Sequence, residues 1–482
     1  MITRNRITTE RLFPGLAYGK GRSAIHRLSG MGIGALLMIS CICQAEERNR
    51  ILEVGIAVTD ITPKEPVWLA GYAARDQPST GIDTPLKIQA VAFRDGGNEN
   101  PVVLASLDNC EVDRQFMIPV NKAVEARWNL RMGRLIVVSS HTHGGPVLKS
   151  ALLGMYQISE DKREGIHQYT QFLQERIVET VGAALTDLRP AKLYYGKGRA
   201  FFAMNRRVYK ESGMAFGENP DGPVDWDVPV LKITSTTGDI RAVLFGYACH
   251  ATSMSSGNAD FYKLSGGYMA YARSFIEETM QTEALFLTGM GADSNPSPRG
   301  SLKHSKRHGL QLAGAVVGVL NRPMKKITGP MSFAFREVPL DLESPPSKTE
   351  LAEDAQNENP HIRNRARKYL DQLKQTHRIQ TEVPLPISIL GFGEDLSIVL
   401  MAGEVVVDYS LQIKRMFKGQ TPWTVGYAYE IPCYIPSNRL LKEGGYEAES
   451  SLVYYGIYGP FAGRIQDSIM KTVADLFEEV RN

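Results

Sequence analysis

Leu135-Ile136-Val137-Val138-Ser139-Ser140-His141-Thr142-His143-Gly144-Gly145-Pro146 is the stretch on which the reading of the fold turns. Its four leading apolar residues, three of them β-branched, read as a buried strand. The strand runs into polar residues and stops at Gly-Gly-Pro, a loop signal. His141 and His143 stand on that junction, two residues apart. In extended backbone, positions i and i+2 share a face, so both imidazoles can look into one cleft. Neutral imidazole is the commonest metal ligand. The competing reading of a bare His-x-His is a pair of ordinary polar loop residues.

Upstream, Leu52 to Pro63 alternates like a strand, and Gly71 to Thr84 is a loop. Strands follow at Leu86–Phe93 and Val102–Leu107, the second ending in Asp108-Asn109. Asp108 reads as a strand-end cap, with a carboxylate that orients a metal-binding histidine as the alternative. Val112 to Leu130 reads as a helix with a proline in its first half. Downstream, a long helix begins near Ser159, a good N-cap residue. Tyr169, Leu173, Ile177, Val181 and Leu185 share one of its faces, and Arg189-Pro190 ends it.

Strands recur at Val228–Ile233 and Ala242–Ala248, and the latter delivers Cys249-His250. A helix over Gly266–Met280 and a short strand, Leu285–Leu287, lead into Gly289 to Pro296. The helix Lys303–Leu320 carries His304 and His308 among Lys303, Lys306 and Arg307, which reads as plain basic surface. Residues 345–380 are charge-rich and read as a solvated helical excursion. Strands resume at Pro386–Leu390 and Leu396–Met401, Gly403-Glu404 opens a helix through about Phe417, and Val425–Tyr429 is a further strand. Tyr434 to Tyr458 is loop-rich, and Phe461–Arg481 closes as a helix. Strands alternating with helices indicate an α/β fold, here one large catalytic domain with mixed sheets flanked by helices.

The 482 residues are 43% hydrophobic and 22% charged, a globular composition, and the net charge of +3 speaks against a nucleic acid partner. Residues 1–45 differ from the rest. Lys20, Arg22, His26 and Arg27 precede an apolar run, Met31 to Ile42, and Cys43-Gln44-Ala45 offers small residues for cleavage. This is a secretory signal peptide, so the mature chain, 46–482, is expected to be secreted or periplasmic. An uncleaved anchor is the alternative, although the run is short for a membrane span. Cys110, Cys249 and Cys433 then remain, an odd and widely spaced set that makes no disulfide framework.

His141/His143, His250 and Glu404 share one design, a strand that ends in a residue able to bind a metal. Two histidines and a carboxylate with an open position form a common catalytic zinc set. The surrounding segments resemble the neutral ceramidases. Ser140-His-Thr-His-Gly-Gly-Pro146 is similar to their S-H-T-H-S-G-P, His250-Ala-Thr-Ser-Met254 to H-G-T-S-M, and Gly403-Glu404 to G-E-F. Cys433-Tyr434-Ile435-Pro436 resembles H-Y-I-T. The block from Gly445-Tyr446-Glu447-Ala448 to Gly459-Pro460 resembles the one that follows it, and Asn205-Arg206 resembles N-R-S. The six occur in family order across roughly residues 52 to 480.

The resemblance implies Zn2+ held by His141, His250, Glu404 and Tyr434, with His143 beside the metal and Arg206 a substrate-side cation. It also shows two departures. Ceramidases carry a nucleophilic serine in G-D-V-S-P, and aligning Asp293 and Pro296 puts Asn295 at that position. Asparagine forms no acyl intermediate but can donate to an oxyanion. Either Ser294 acts through a shifted loop or water activated by the metal attacks directly, and the second reading is preferred. The immunoglobulin-like domain that ends such ceramidases is also expected to be absent.

The expected function is thus an exported zinc-dependent hydrolase that cleaves an amide (N-acyl) or related bond in a small-molecule or lipid-like substrate, close to a membrane surface. His143 is the candidate for proton transfer. The alternatives are a catalytically lapsed metal-binding or envelope-binding protein, and a zinc esterase or phosphoesterase on the same scaffold.

Overall fold

Leu135–Ser139 has two apolar faces, and each enters a different core. Ile136 and Val138 pack into one hydrophobic cluster, Leu135 and Val137 into another. Side chains alternate along a strand, so a strand apolar on both faces must be covered twice. The structure, a computed structural model, describes residues 51–481 apart from 97–99, 153, 154 and 157. The expected signal peptide, residues 1–45, lies outside the described residues.

The chain opens with strands β1 (Leu52–Asp60), β2 (Lys87–Asp95) and β3 (Val102–Leu107), helix α1 (Arg114–Trp128), β4 (Leu135–Ser139) and helix α2 (Glu160–Thr186). It continues through β5 (Arg189–Arg199), the hairpin β6 (Ala203–Lys210) and β7 (Gly213–Asn219), β8 (Asp227–Ser235) and β9 (Ile240–Tyr247). Helix α3 (Gly267–Met280), β10 (Glu283–Thr288), β11 (Ser294–Pro296) and helix α4 (Leu302–Leu320) follow. Next come β12 (Met331–Asp341), helices α5 (Lys348–Asp354) and α6 (Pro360–Thr376), β13 (Glu382–Phe392) and β14 (Leu396–Met401). The last elements are the two-residue β15 (Glu404–Val405), helix α7 (Val407–Met416), β16 (Pro422–Val425), β17 (Tyr434–Ile435) and the terminal helix α8 (Ile465–Arg481).

The large sheet has the order β10-β9-β8-β5-β1-β2-β3-β4, with Lys325–Ile327 added beside β5. Its outer pairs β3/β4 and β9/β10 are parallel and its middle is antiparallel. Helices α1 and α2 cover one face through Phe116, Val120, Leu173 and Ile177, while α3 and α4 cover the β8–β10 end of the sheet. The second sheet, β12-β13-β14-β16, packs on the face that carries Ile136 and Val138, with α8 on its far side. Sheets flanked by helices are the expected α/β class. No helix among the described residues is long and apolar enough to cross a membrane.

Several local expectations are corrected. The strand expected at Val425–Tyr429 lies earlier, at β16, because Tyr427 and Tyr429 adopt left-handed backbone angles (φ 54° and 63°) that end it. Glu404 begins a short strand, and the helix starts at Val407. The stretch from Tyr434 is not mainly loop: it holds β17 and helical turns at Asn438–Glu443, Tyr446–Ser450 and Leu452–Tyr455. His308 is buried rather than surface, bonded to the Ser253 hydroxyl at 2.9 Å and stacked on Phe202. Asp108 contacts no histidine among the described residues; it binds the Arg273 guanidinium and the Lys87 backbone N–H, a structural role. The charged stretch 345–380 forms α5 and α6, which bury Leu351, Ala355, Ala366 and Tyr369 in a small core of their own.

Candidate active site

The two parallel strand pairs aim their carboxyl ends at the same place, where open α/β sheets collect ligands. His141 stands two residues past β4, with φ at 56°. A non-glycine residue held there costs about 1–3 kcal/mol, which persists only when the surroundings overdetermine it. His250 stands three residues past β9, and a parallel bridge between Thr142 and Ala251 ties the two histidine loops together. Glu404 and Tyr434 are direct register partners across β15 and β17. His141 Nε2 comes within 3.1 Å of His250 Nε2, and Glu404 Oε2 lies 3.2 Å and 3.1 Å from these two nitrogens. The Tyr434 hydroxyl is 3.1 Å from His250 Nε2. All four side chains are at most 3% exposed.

This cluster suits a cation. His141 Nδ1 lies 2.9 Å from the Cys110 carbonyl, which can only accept, so neutral His141 presents a lone pair at Nε2. That lone pair faces a carboxylate oxygen and a second imidazole nitrogen. His141, His250 and Glu404 together form a group able to hold a metal ion. Burial opposes charge on Glu404, but the His141 and His250 imidazoles outweigh it and hold its carboxyl well below the usual range. Burial, reinforced by the Arg206 charge, pushes His250 down to about 3, leaving it neutral and ready to ligate. A second possible group, Cys110, His141 and His143, shares His141.

Several residues that hold this cluster were not singled out in the sequence. Tyr427 donates to Glu404 Oε2 at 3.2 Å and Tyr455 to Oε1 at 2.5 Å. The buried Glu447 takes Arg206 Nε at 2.8 Å on one oxygen and Arg207 Nη1 at 2.5 Å on the other. Arg206 in turn donates to the Tyr434 hydroxyl at 3.1 Å and approaches Asn295 Oδ1 at 3.4 Å. The signal for Glu447 was its position in the Gly445-Tyr446-Glu447 block; Tyr427 carried none. Asp293, pushed up to about 6 by burial, caps α7 by accepting the Val407 N–H at 2.8 Å.

A cleft of about 540 Å³ opens on the cluster, and His143, Arg206, His250, Asn295 and Tyr434 line it. His143 Nε2 lies 3.3 Å from His141 Nε2. Enclosure by protein and the neighbouring imidazoles keep His143 well below its ordinary pKa. Gly71 (φ 93°) lies against the His143 ring, where a Cβ would come within 2.4 Å, so this contact requires glycine. Strand β11 separates its first two side chains. Asn295 faces the cleft, whereas the Ser294 hydroxyl is fully buried with no partner among the described residues. Side chains alternate along a strand, so a one-residue offset turns Ser294 away.

Fold and site define the class: an α/β protein whose strand ends gather a buried His-His-Glu group, able to hold a metal ion, beside a cleft. The chain belongs to the neutral/alkaline non-lysosomal ceramidase family, whose N-terminal region matches residues 52–297. That match spans His141, His143, Arg206, His250, Ser294 and Asn295, while Glu404 and Tyr434 lie beyond it.

The chain is 26% identical to neutral ceramidase B of Dictyostelium discoideum over 239 residues, 47% of this chain and 32% of that protein. It is 21% identical to the neutral ceramidase of Pseudomonas aeruginosa over 329 residues, 63% of this chain and 48% of that one. The chain thus spans between about a third and a half of these curated relatives. The crystal structure of the Pseudomonas aeruginosa neutral ceramidase shares the fold, with a TM-score of 0.64 at 17% identity over 85% of this chain and 72% of that one. A ceramidase structure complexed with C2 matches equally, with a TM-score of 0.64 at 17% identity.

Proposed function

We propose that the protein is an exported zinc-dependent hydrolase that cleaves an amide (N-acyl) or related bond in a lipid-like substrate. The observation that carries this reading is the convergence of His141, His250 and Glu404 within 3.2 Å of one another beside an open cleft. Zinc is favoured because two imidazoles, a carboxylate and a phenol oxygen make a borderline donor set. Zinc bound there supplies Lewis acidity, which acidifies water and polarises a carbonyl.

The chain's own residues divide the remaining work. Tyr455 and Tyr427 occupy both oxygens of Glu404, so this carboxylate serves as a ligand and not as a base. His143 lines the cleft and is kept neutral by its enclosure, which makes it the candidate to take and return a proton. The Asn295 carbonyl oxygen accepts from Thr252 at 3.0 Å and faces Arg206, which leaves its amide N–H groups free to stabilise a developing oxyanion. Buried Ser294 favours direct attack by water over a serine nucleophile.

Metal analysis of the purified protein, with fatty acid release from a labelled N-acyl lipid against ester and phosphoester panels, tests the proposal. Absence of zinc with all four ligands intact would sink it. Asparagine in place of serine favours one competing reading, a protein that keeps the metal site without the chemistry. Turnover of any member of the panel excludes that reading.

A further inference from the structure

The lining of the cleft is chemically mixed. Met204, Phe216 and Tyr446 form an apolar wall beside Arg206, whose guanidinium lies 5.0 Å from the Phe216 ring centre and 5.7 Å from that of Tyr446. The same cleft is also lined by Tyr72, Thr252, Ser297 and Arg299. Two cations of the cleft region differ in kind. Arg206 is neutralised by Glu447. Arg299 lines the cleft and makes no ion pair among the described residues. Its charge acts on the Tyr72 hydroxyl, which donates to the Met254 carbonyl at 2.7 Å. The Tyr72 ring stands edge-on to His143 with centroids 4.7 Å apart, so Arg299 is one aromatic ring away from the metal-side histidine.

A second cation adds to the same field. Arg75 is 4% exposed, and its guanidinium binds three carbonyls, those of Ala70 at 2.5 Å, His143 at 2.6 Å and Phe261 at 2.9 Å, with no carboxylate among the described residues. Glu218 is the acidic residue of the cleft lining; it is exposed at the rim, where it takes the Ser297 hydroxyl at 2.8 Å. Apolar side chains and an unpaired guanidinium in one cleft are the complement of an amphiphile with an acidic head.

From this juxtaposition we infer that the preferred substrates are N-acyl compounds whose amine portion carries an anionic group, a carboxylate, sulfonate or phosphate, bound by Arg299, rather than neutral N-acyl lipids. The inference rests on the N-acyl hydrolase reading and narrows it. In the reaction, water oxygen joins the acyl carbon, the C–N bond breaks and the amine leaves with a proton. The products are a fatty acid and an amine that carries the acidic group.

The zinc-loaded full chain is assayed on N-acylglycine, N-acyltaurine and neutral N-acylethanolamine of one chain length, as wild type, Arg299→Gln and Arg299→Lys. The expected result is higher kcat/KM on the two acidic compounds. Arg299→Gln should lower the acidic-to-neutral ratio by about 10- to 100-fold, mainly through KM, which is the worth of one charge-assisted hydrogen bond. Arg299→Lys should keep most of the ratio. Preference for the neutral compound, or an equal loss on all three in Arg299→Gln, overturns the inference. If no N-acyl compound is hydrolysed, the reaction reading fails. The inference is then decided by calorimetric Kd values for N-acylglycine and N-acylethanolamine, and equal affinities would overturn it.

Discussion

Replacing Glu447 with glutamine removes a carboxylate shared by two buried guanidiniums. Arg206 and Arg207 are 4% and 3% exposed, and each gives one hydrogen bond to a different oxygen of Glu447. In the variant, Arg207 keeps Glu443 at 3.1 Å and the Gly444 carbonyl at 2.8 Å. Arg206 keeps only neutral acceptors, the Tyr434 hydroxyl and Asn295 Oδ1, together with its aromatic neighbours. Removing one partner of a buried ion pair costs about 3–5 kcal/mol, because the remaining charge is left uncompensated. Glutamine can still accept one hydrogen bond, so we expect about 3 kcal/mol.

Urea unfolding of the zinc-loaded protein, read as a lower midpoint at unchanged slope, measures this cost. Arg206→Met in the Glu447→Gln background should recover about 1 kcal/mol or more, since it removes the uncompensated charge and contacting residues couple by such amounts. Glu447 also has a pH signature. Burial opposes its charge, but Arg206 and Arg207 outweigh it and hold the carboxyl below its ordinary value of 4.5. Its stabilisation is therefore present above that pH and is lost as pH falls below it, so the gap between wild type and variant should close on acidification. A variant within about 0.5 kcal/mol of wild type at pH 7, the range of ordinary surface changes, would refute the reasoning.

Other consequences bear on the metal and the reaction. His141→Ala and Glu404→Gln should each lose stoichiometric zinc after dialysis against a weak chelator, and full retention in either, by metal analysis, would show that the ion binds elsewhere. Ser294→Ala should keep kcat within about threefold of wild type, because its hydroxyl makes no bond, whereas Asn295→Ala should lower kcat by about 10²-fold. The opposite order in steady-state assays would restore Ser294 as nucleophile. The metal-free protein should lose stability on acidification from about pH 6.5. His250 is held down to about 3 in the folded state, so the unfolded chain takes up its proton first. A urea midpoint that stays constant between pH 7 and pH 4 would contradict this.

Much of the site was legible because its residues sit at element ends marked by local sequence. An apolar run that stops at Ser-His-Thr-His-Gly-Gly-Pro announces both a strand and its exit, and Cys249-His250 and Gly403-Glu404 repeat the pattern. The one-residue offset of Ser294 from Asn295 was visible in the sequence, whereas the opposite directions of their side chains come from the short strand β11. Less legible were β5, β6, β7 and β12, whose polar and aromatic side chains lie on partly solvated faces and blur the alternation.

By itself, then, the sequence determined the α/β class, the segments that supply His141, His250, Glu404 and Tyr434, and the offset of Ser294. These depend on backbone period and on residue type over a few neighbours. Only tertiary structure decided that Tyr427 and Tyr455 occupy the oxygens of Glu404, that Glu447 bridges Arg206 and Arg207, and that Arg299 faces the cleft without a carboxylate partner. Arg206 and Glu447 lie 241 residues apart in sequence. Whether a charge is compensated depends on what desolvates and faces it across the fold, and local pattern carries no information about that.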